Sequence, residues 1–154
     1  MTTPTTPMSD LRWLLTRLVE EVPGMRSVAV VSADGLPLLS SQPDAAARSG
    51  YAGPYGATAD LATVVSGLGS LTRGAASLME GGEVRQTLVA MAGGSLVVMS
   101  ISDGSLLGVY AAPDADISMV TYHMARFVGR AGHLLTPQLR AELRAGTAPG
   151  TTAR

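Results

Sequence analysis

The sequence predicts a three-layer α+β domain in which helices cover both faces of an antiparallel sheet. One observation is the order of hydrophobic patterns, which runs as helix, two strands, helix, three strands and helix. A second is the short turns between neighbouring strands, because hairpin-length connections join antiparallel strands. A third is that the strand segments are almost continuously apolar, which is typical of a sheet covered on both faces. A chain of 154 residues is long enough to bury a substantial core as one domain.

The part of the chain before its longest helix is predicted to form one helix and one hairpin. Ser9 suits the N-cap of the helix, because its hydroxyl can accept a hydrogen bond from an early backbone N–H. Pro23 and Gly24 end this helix, and Asp34 with Gly35 supplies the hairpin turn. The predicted segments are a disordered tail over residues 1–8, a helix over 9–22, strands over 27–32 and 37–41, and a mobile loop over 42–56.

The longest predicted helix spans residues 57–80 and has two different faces. Its apolar residues follow the spacing of a buried stripe, namely Leu61, Val64, Val65, Leu68, Leu71, Ala75, Leu78 and Met79. The opposite face carries small, weakly polar residues, namely Thr63, Ser66, Gly67, Ser70, Gly74 and Ser77. Interior glycines cost a helix about 1 kcal/mol each relative to Ala, so Gly67, Gly69 and Gly74 indicate that another backbone approaches. The second face is therefore predicted to be a contact surface; the alternative is a helix buried on both sides within one domain.

The part after the central helix is predicted to form three strands and a C-terminal helix. Gly93-Gly94 and Asp103-Gly104 mark the turns between the strands. Asp114 or Asp116 suits the cap of the final helix, and Pro137 suits the first position of a further short helix. The predicted segments are strands over 84–92, 95–101 and 106–111, helices over 117–135 and 137–144, and a disordered tail over 145–154, which places one domain at 9–144.

Composition excludes several classes of protein. A net charge of −1 argues against a nucleic-acid partner, which usually requires a basic surface. The absence of Cys excludes disulfides, thiolate metal sites and a Cys nucleophile. No apolar run is long enough to be inserted across a membrane, and the N-terminus lacks the layout of a signal peptide. We therefore expect a cytoplasmic protein.

The search for catalytic, cofactor and metal residues yields none. The chain contains no Lys, which excludes a phosphate-binding loop of the GxxxxGK type. Gly67 and Gly69 lie inside the predicted helix rather than at a strand-to-helix turn, so they do not indicate a dinucleotide site. His123 and His133 lack the spacing of metal ligands on a helix. No GxSxG nucleophile motif is present, and the sequence therefore predicts a protein that is not an enzyme.

Four segments together resemble the Roadblock/dynein light chain family. They are AVVSADGLPL at 29–38, ADLATVVSGLGSLTRGA at 59–75, QTLVAMAGGSLVVMSISDGSLLGVYA at 86–111 and MVTYHMARFVGRAGHLLTPQLRAEL at 119–143. The likeness is strongest to the bacterial members encoded beside small Ras-like GTPases and covers roughly residues 9–143. It implies a Roadblock-like (profilin-like) fold, in which a five-stranded antiparallel sheet has the long helix on one face and the N- and C-terminal helices on the other.

The resemblance also implies a function that the residues alone do not indicate. Family members form homodimers through the central helix and the edge strand after it, which corresponds to 84–91 here. The dimer is a platform that regulates or scaffolds a small Ras-like GTPase, here with a sensor-kinase-like protein as a further expected partner. The interface is predicted at Thr63, Ser66, Gly67, Ser70, Arg73, Gly74, Ser77, Val84, Gln86 and Leu88.

A ligand-sensing domain of the profilin-like or PAS-like class is the alternative function. Such a domain needs polar groups that converge in a cavity between sheet and helix. The predicted strands offer few inward polar candidates, namely Thr87, Ser100 and Tyr110.

Overall fold

Four helices and five strands make up the computed structural model, which describes residues 7–41, 57–102 and 104–147. In chain order they are α1 (Pro7–Glu21), β1 (Met25–Val31), β2 (Pro37–Ser41), α2 (Ala57–Leu78), β3 (Gln86–Met91), β4 (Gly94–Ser100), β5 (Leu106–Ala111), α3 (Ile117–Leu134) and α4 (Pro137–Thr147). The predicted loop over 42–56 and the turn residue Asp103 lie outside the described residues.

The strands form one antiparallel sheet in the order β2-β1-β5-β4-β3. Each hairpin pairs neighbours in the chain, while β1 crosses to pair with β5 at the centre of the sheet. Among the described strands, β2 and β3 therefore form the two edges. This arrangement confirms the predicted α+β fold with its five-stranded antiparallel sheet.

The larger core lies between the sheet and three helices. Helices α1, α3 and α4 contribute leucines, Met124 and Phe127 to this core, and β1, β4 and β5 contribute Val28, Val97 and Val109. Burial of this apolar surface supplies most of the driving force for folding. The N- and C-terminal helices thus share one face of the sheet, as predicted.

The smaller core lies on the opposite face, where α2 packs alone. Ala62 and Val65 of α2 are buried against Ala29, Val98 and Leu106 of the sheet. Close approach is possible because Gly108 leaves room on β5, where an added Cβ would collide with the side chain of Val65. Small residues thus bring α2 close to the sheet.

Local hydrogen bonds explain where several elements begin and turn. The carboxylate of Asp116 accepts from the N–H of Ser118 at 3.0 Å, so Asp116 caps α3. The Thr136 hydroxyl accepts from the N–H of Leu139 at 3.1 Å at the start of α4. In the β1–β2 turn, Ser32 donates a hydrogen bond to Asp34, which lowers the pKa of that carboxyl group.

Two boundaries differ from those predicted. Helix α1 begins at Pro7 rather than at Ser9, and α4 extends to Thr147, so both helices include residues assigned to the predicted tails. Residues 1–6 and 148–154 of those tails lie outside the described residues. None of the helices in the described part of the chain is both long and apolar enough to cross a membrane.

Candidate protein-protein interface on α2 and β3

Large apolar side chains project away from the sheet along the second half of α2. Leu71 is 73% exposed and Leu78 is 88% exposed, and Val64 and Met79 are also exposed. The prediction of one buried stripe was therefore wrong for these residues and for the exposed Ala75. The reason is the contact of α2 with Gly108 described above, which turns Ala62, Val65 and Gly69 toward the sheet.

The small residues of α2 divide between the two sides of the helix. A Cβ added at Gly67 or Gly74 would have no described atom within 4 Å, so both glycines face outward. A Cβ added at Gly69 would instead lie 2.5 Å from Leu106, so Gly69 serves the contact with the sheet. Ser66 is half-buried, and its hydroxyl approaches Gly35 in the β1–β2 turn. We define the α2 outer face as Thr63, Val64, Gly67, Ser70, Leu71, Gly74 and Leu78, all of which are exposed.

Among the described residues, this face is exposed, in contrast to the alternative prediction of a helix buried on both sides. Its residues recur at helical spacing, and no described element covers them. Leu71 and Leu78 form a lengthwise apolar strip beside the small residues Gly67, Ser70 and Gly74. Exposed apolar patches of this kind mark protein–protein contacts more often than solvated surfaces.

Strand β3 adds an apolar edge next to α2. Within the described sheet it pairs only with β4. Val28, Val109, Val97 and Leu88 form one row across four strands. The three valines are fully buried beneath the helices, whereas Leu88 is 47% exposed. Helix cover therefore ends before β3, and an open strand edge of this kind can pair with another chain.

The remaining predicted interface residues lie around the same region. Ser77 and Arg73 are exposed on the flank of α2, and Arg73 Nε donates to the Gly69 carbonyl at 3.2 Å. Gln86 is exposed on β3, and Val84 is half-buried just before it. Apart from Ser66, which faces the β1–β2 turn, the predicted residues of α2 lie on the outward side of that helix. Gln86 and Leu88 are in register with Met99 and Val97, which face α1, α3 and α4, so these two side chains lie on the sheet face opposite α2.

A groove of about 460 Å³ separates the C-terminal half of α2 from β3 and β4. Its lining includes Arg73, Ser77, Arg85, Thr87 and Ser100. The Ser100 hydroxyl donates to the Val84 carbonyl at 3.3 Å, and the Tyr110 hydroxyl donates elsewhere, to Gly93, at 2.8 Å. The described residues contain no cluster of His, Cys, Asp and Glu that could hold a metal ion.

Sequence reasoning missed the apolar part of the candidate interface. Val64, Leu71 and Leu78 were assigned to the core, and Met91 of β3 was not assigned to any site. The available signal was length: the 22 residues of α2 extend beyond a sheet whose strands have five to seven residues. A helix that is longer than the sheet beneath it cannot bury its whole apolar stripe against that sheet.

Comparison with known proteins places this geometry in a structural family. A family model described as the Roadblock/LC7 domain matches residues 11–111. A Roadblock/LC7 domain from Streptomyces avermitilis is 32% identical with a TM-score of 0.67, over 80% of this chain and 97% of that one. MglB, a gliding protein from Thermus thermophilus, is 18% identical with a TM-score of 0.70, over 87% and 94%. An MglB with a tetrameric arrangement is 17% identical with a TM-score of 0.70, over 93% and 96%.

At these identities the likeness to the MglB structures concerns the fold. No curated protein sequence matches the chain.

Proposed function

This chain belongs to the Roadblock/LC7 family, and from that premise we propose that it is a homodimeric, non-enzymatic regulator or scaffold of a small Ras-like GTPase in bacterial signalling. The observation that carries the proposal is the exposed apolar surface formed by the α2 outer face and the edge of β3. A surface of this kind is suited to another protein rather than to a small substrate. The cytoplasm, where such GTPases act, is the proposed location.

The proposed dimer has two-fold symmetry, so the same surface is used by both subunits. Two β3 edges pair in antiparallel orientation and extend the sheet, while two α2 helices pack across the axis. Gly67 and Gly74 leave room for close approach, and Leu71 and Leu78 supply the apolar area. An interface of standard size buries on the order of 1,600 Å² in total.

The GTPase is proposed to bind the platform that the paired α2 helices form. This step rests on the family resemblance, since fold alone does not determine function. The tetrameric arrangement of one MglB supports self-association within this fold, as a property of that protein. An effect on GTP hydrolysis or on nucleotide exchange, and a sensor-kinase-like partner in the same complex, are further parts of the proposal.

The test measures mass and GTPase binding with the same protein samples. Light scattering is expected to give a mass near twice 15.7 kDa. The Ras-like GTPase encoded nearest to the gene, loaded with GDP or with a non-hydrolysable GTP analogue, is expected to bind the immobilised protein. Leu71→Glu on the α2 outer face should lower both the mass and the binding, whereas Thr16→Glu on α1 should preserve both. A monomeric wild-type protein would contradict the proposed dimer. Absence of binding by both nucleotide forms would contradict the proposed GTPase partner.

The groove between α2 and β3 favours a second candidate, a ligand-sensing domain. Thr87 and Ser100 line this groove, and Tyr110 does not. A small ligand there should raise the melting temperature of the isolated protein without any partner. A metabolite screen by thermal shift that finds a stabilising compound, together with loss of the shift in Thr87→Val, would favour this candidate over the GTPase platform.

A further inference from the structure

A second candidate surface lies on the opposite side of the sheet, where α1 and α3 pack side by side. Between them is a cleft of about 190 Å³, whose lining includes Trp13, Arg17, Glu21, His123, Arg126 and Arg130. The proposed dimer and GTPase contacts use none of these residues. The cleft is therefore a separate feature that the proposed function does not explain.

The charges in this cleft are unbalanced. Glu21 is the only carboxylate among its lining residues. It accepts a hydrogen bond from Arg17 Nε at 3.0 Å and lies 3.6 Å from His123 Nδ1. The Arg17 hydrogen bond lowers the pKa of Glu21 and keeps it ionised.

Arg126 and Arg130 remain without an ion pair among the described residues. They lie four positions apart on α3, where like charges oppose each other and destabilise a helix slightly. Glu21 attracts Arg126 through space but is already engaged by Arg17. The cleft thus has an excess of positive charge, although the chain as a whole is nearly neutral.

Exposed aromatic and apolar side chains surround these arginines. Trp13, the single Trp of the chain, is 55% exposed, and the Arg17 guanidinium lies 5.1 Å from its ring centroid. Tyr122 is 59% exposed, with the Arg126 guanidinium 5.9 Å from its ring centroid. Met119 is exposed on the same helix. Trp, Tyr, Met and Arg are the residue types enriched where proteins bind one another.

We propose that the α1–α3 cleft is a docking site for an acidic segment of another protein. Carboxylates of the segment would pair with Arg126 and Arg130, and its apolar side chains would contact Trp13 and Tyr122. A cleft of about 190 Å³ accommodates a few side chains rather than a folded domain. A guanidinium is suited to this role because it binds carboxylates in a bidentate manner.

We assign the acidic segment to another protein because the parts of this sequence outside the described residues are poor in acidic residues. Residues 1–6 and 148–154 contain no acidic residue, and residues 42–56 contain one Asp and one Arg. A nucleic acid is a poor match, because its regularly spaced phosphates favour a broad basic surface. Here the same pair of helices also carries Asp10, Glu20 and Glu21.

The proposal goes beyond the GTPase platform and does not depend on it. The cleft and the α2 outer face lie on opposite faces of the sheet. Both can therefore be occupied at the same time, so one protein can connect two partners.

Trp13 reports directly on occupancy of the cleft, because it is the only Trp. The probe is a synthetic helix-forming peptide of about 14 residues of Glu, Ala and Leu. When this peptide is titrated into the full chain, the change in Trp13 fluorescence is expected to saturate at a peptide concentration below millimolar. Raising the ionic strength from about 0.05 M to about 0.3 M should weaken binding, because screening shortens the reach of exposed charges. The matched peptide with Gln in place of every Glu should not bind.

Variants locate the contact. Arg126→Glu with Arg130→Glu should weaken binding about tenfold or more, because attraction becomes repulsion. The control, Arg12→Glu with Arg26→Glu, makes the same change in net charge at exposed positions outside the cleft and should bind as the wild type does. If the first double variant does not fold, as judged by circular dichroism, Arg130→Gln alone should weaken binding at least twofold, about 0.4 kcal/mol.

Three outcomes would overturn the proposal: no change in Trp13 fluorescence with the acidic peptide, equal binding of the Gln peptide, or equal loss in the control double variant. A further test uses vesicles of phosphatidylcholine with phosphatidylserine. Saturable binding to these vesicles that is lost in the Arg126 and Arg130 variants, with no binding of the acidic peptide, would replace the protein segment by a membrane surface.

Discussion

Gly108 sets how closely α2 lies on the sheet. An added Cβ would collide with one methyl group of Val65 and would lie 3.3 Å from both its Cβ and its other methyl carbon. Val65 is fully buried, so it cannot turn into solvent to relieve the contact. The rotation of α2, and therefore which of its side chains face outward, depends on this pair of residues.

Gly108→Ala is expected to destabilise the fold by about 1–3 kcal/mol, the usual cost of overpacking a core. In a Val65→Ala background, which removes the colliding methyl groups, the same substitution should cost clearly less. Urea unfolding of the four proteins at one protein concentration measures the coupling, and the fixed concentration prevents dimerisation from altering the comparison. An equal cost in both backgrounds would show that Val65 does not determine the contact.

The bounds of the helices and strands were easier to predict from the sequence than the side of α2 that faces the sheet. Strands β2 and β5 have the predicted bounds, and Asp116 and Pro137 begin helices as their residue types indicate. Periodicity places Leu71 and Val65 on one helical stripe, yet only Val65 is buried. The difference depends on Gly108, which is 43 positions away from Val65 in the chain. No local sequence pattern shows that Gly108 lies opposite Val65.

The candidate interface, too, has only a partial signal in the sequence. Outward glycines at 67 and 74 left a signal in the helix itself, because glycine is costly there without a role. The exposure of Leu88 has no such signal, since it depends on helix cover ending at β4. Likewise, no local pattern shows that Trp13 of α1 and Arg130 of α3 line the same cleft.

At the scale of helix α2, Ser70→Arg is expected to split the proposed dimer while the domain stays folded. Ser70 is exposed on the α2 outer face, so a long charged side chain would separate two packed helices or bury an unpaired charge. Dimer affinity should fall about a hundredfold, which corresponds to about 2.7 kcal/mol. Sedimentation across a dilution series measures this affinity.

Ser118→Arg on α3 is the matched control, because it adds the same side chain at an exposed position on the other face of the sheet. It should leave the dimer intact. Loss of the folded circular dichroism spectrum in Ser70→Arg would mean that this face of α2 belongs to the core of the domain.

At the scale of the whole molecule, the fold is a sheet with two separate outward surfaces. Helix α2 presents an apolar surface on one side, and α1 with α3 presents arginines and aromatic rings on the other. The β3 edge lies between these two sides. The five-stranded sheet separates the two surfaces. With the two surfaces on opposite faces, the two proposed partners could bind at the same time.

Arg73 tests whether such a platform also takes part in GTP hydrolysis. An arginine supplied to the transferring phosphoryl group accelerates hydrolysis by about 10³ to 10⁵. That role requires a side chain that reaches a deep phosphate site. Arg73 instead lies on the flank of a regular helix, and its Nε donates to the Gly69 carbonyl one turn earlier. We therefore expect it to form an ion pair at the rim of the GTPase contact.

Arg73→Ala is accordingly expected to weaken GTPase binding and to make the remaining binding less sensitive to salt, as loss of a rim charge does. With the GTPase saturated by the variant, single-turnover hydrolysis should change by less than about tenfold, a barrier difference of about 1.4 kcal/mol. Arg85→Ala, at an exposed position lining the same groove, serves as the comparison for a general loss of positive charge. A thousandfold loss of hydrolysis in Arg73→Ala with binding intact would instead identify Arg73 as the residue that stabilises the transferring phosphoryl group, because a rim ion pair acts on association and leaves the chemical step of the bound complex nearly unchanged.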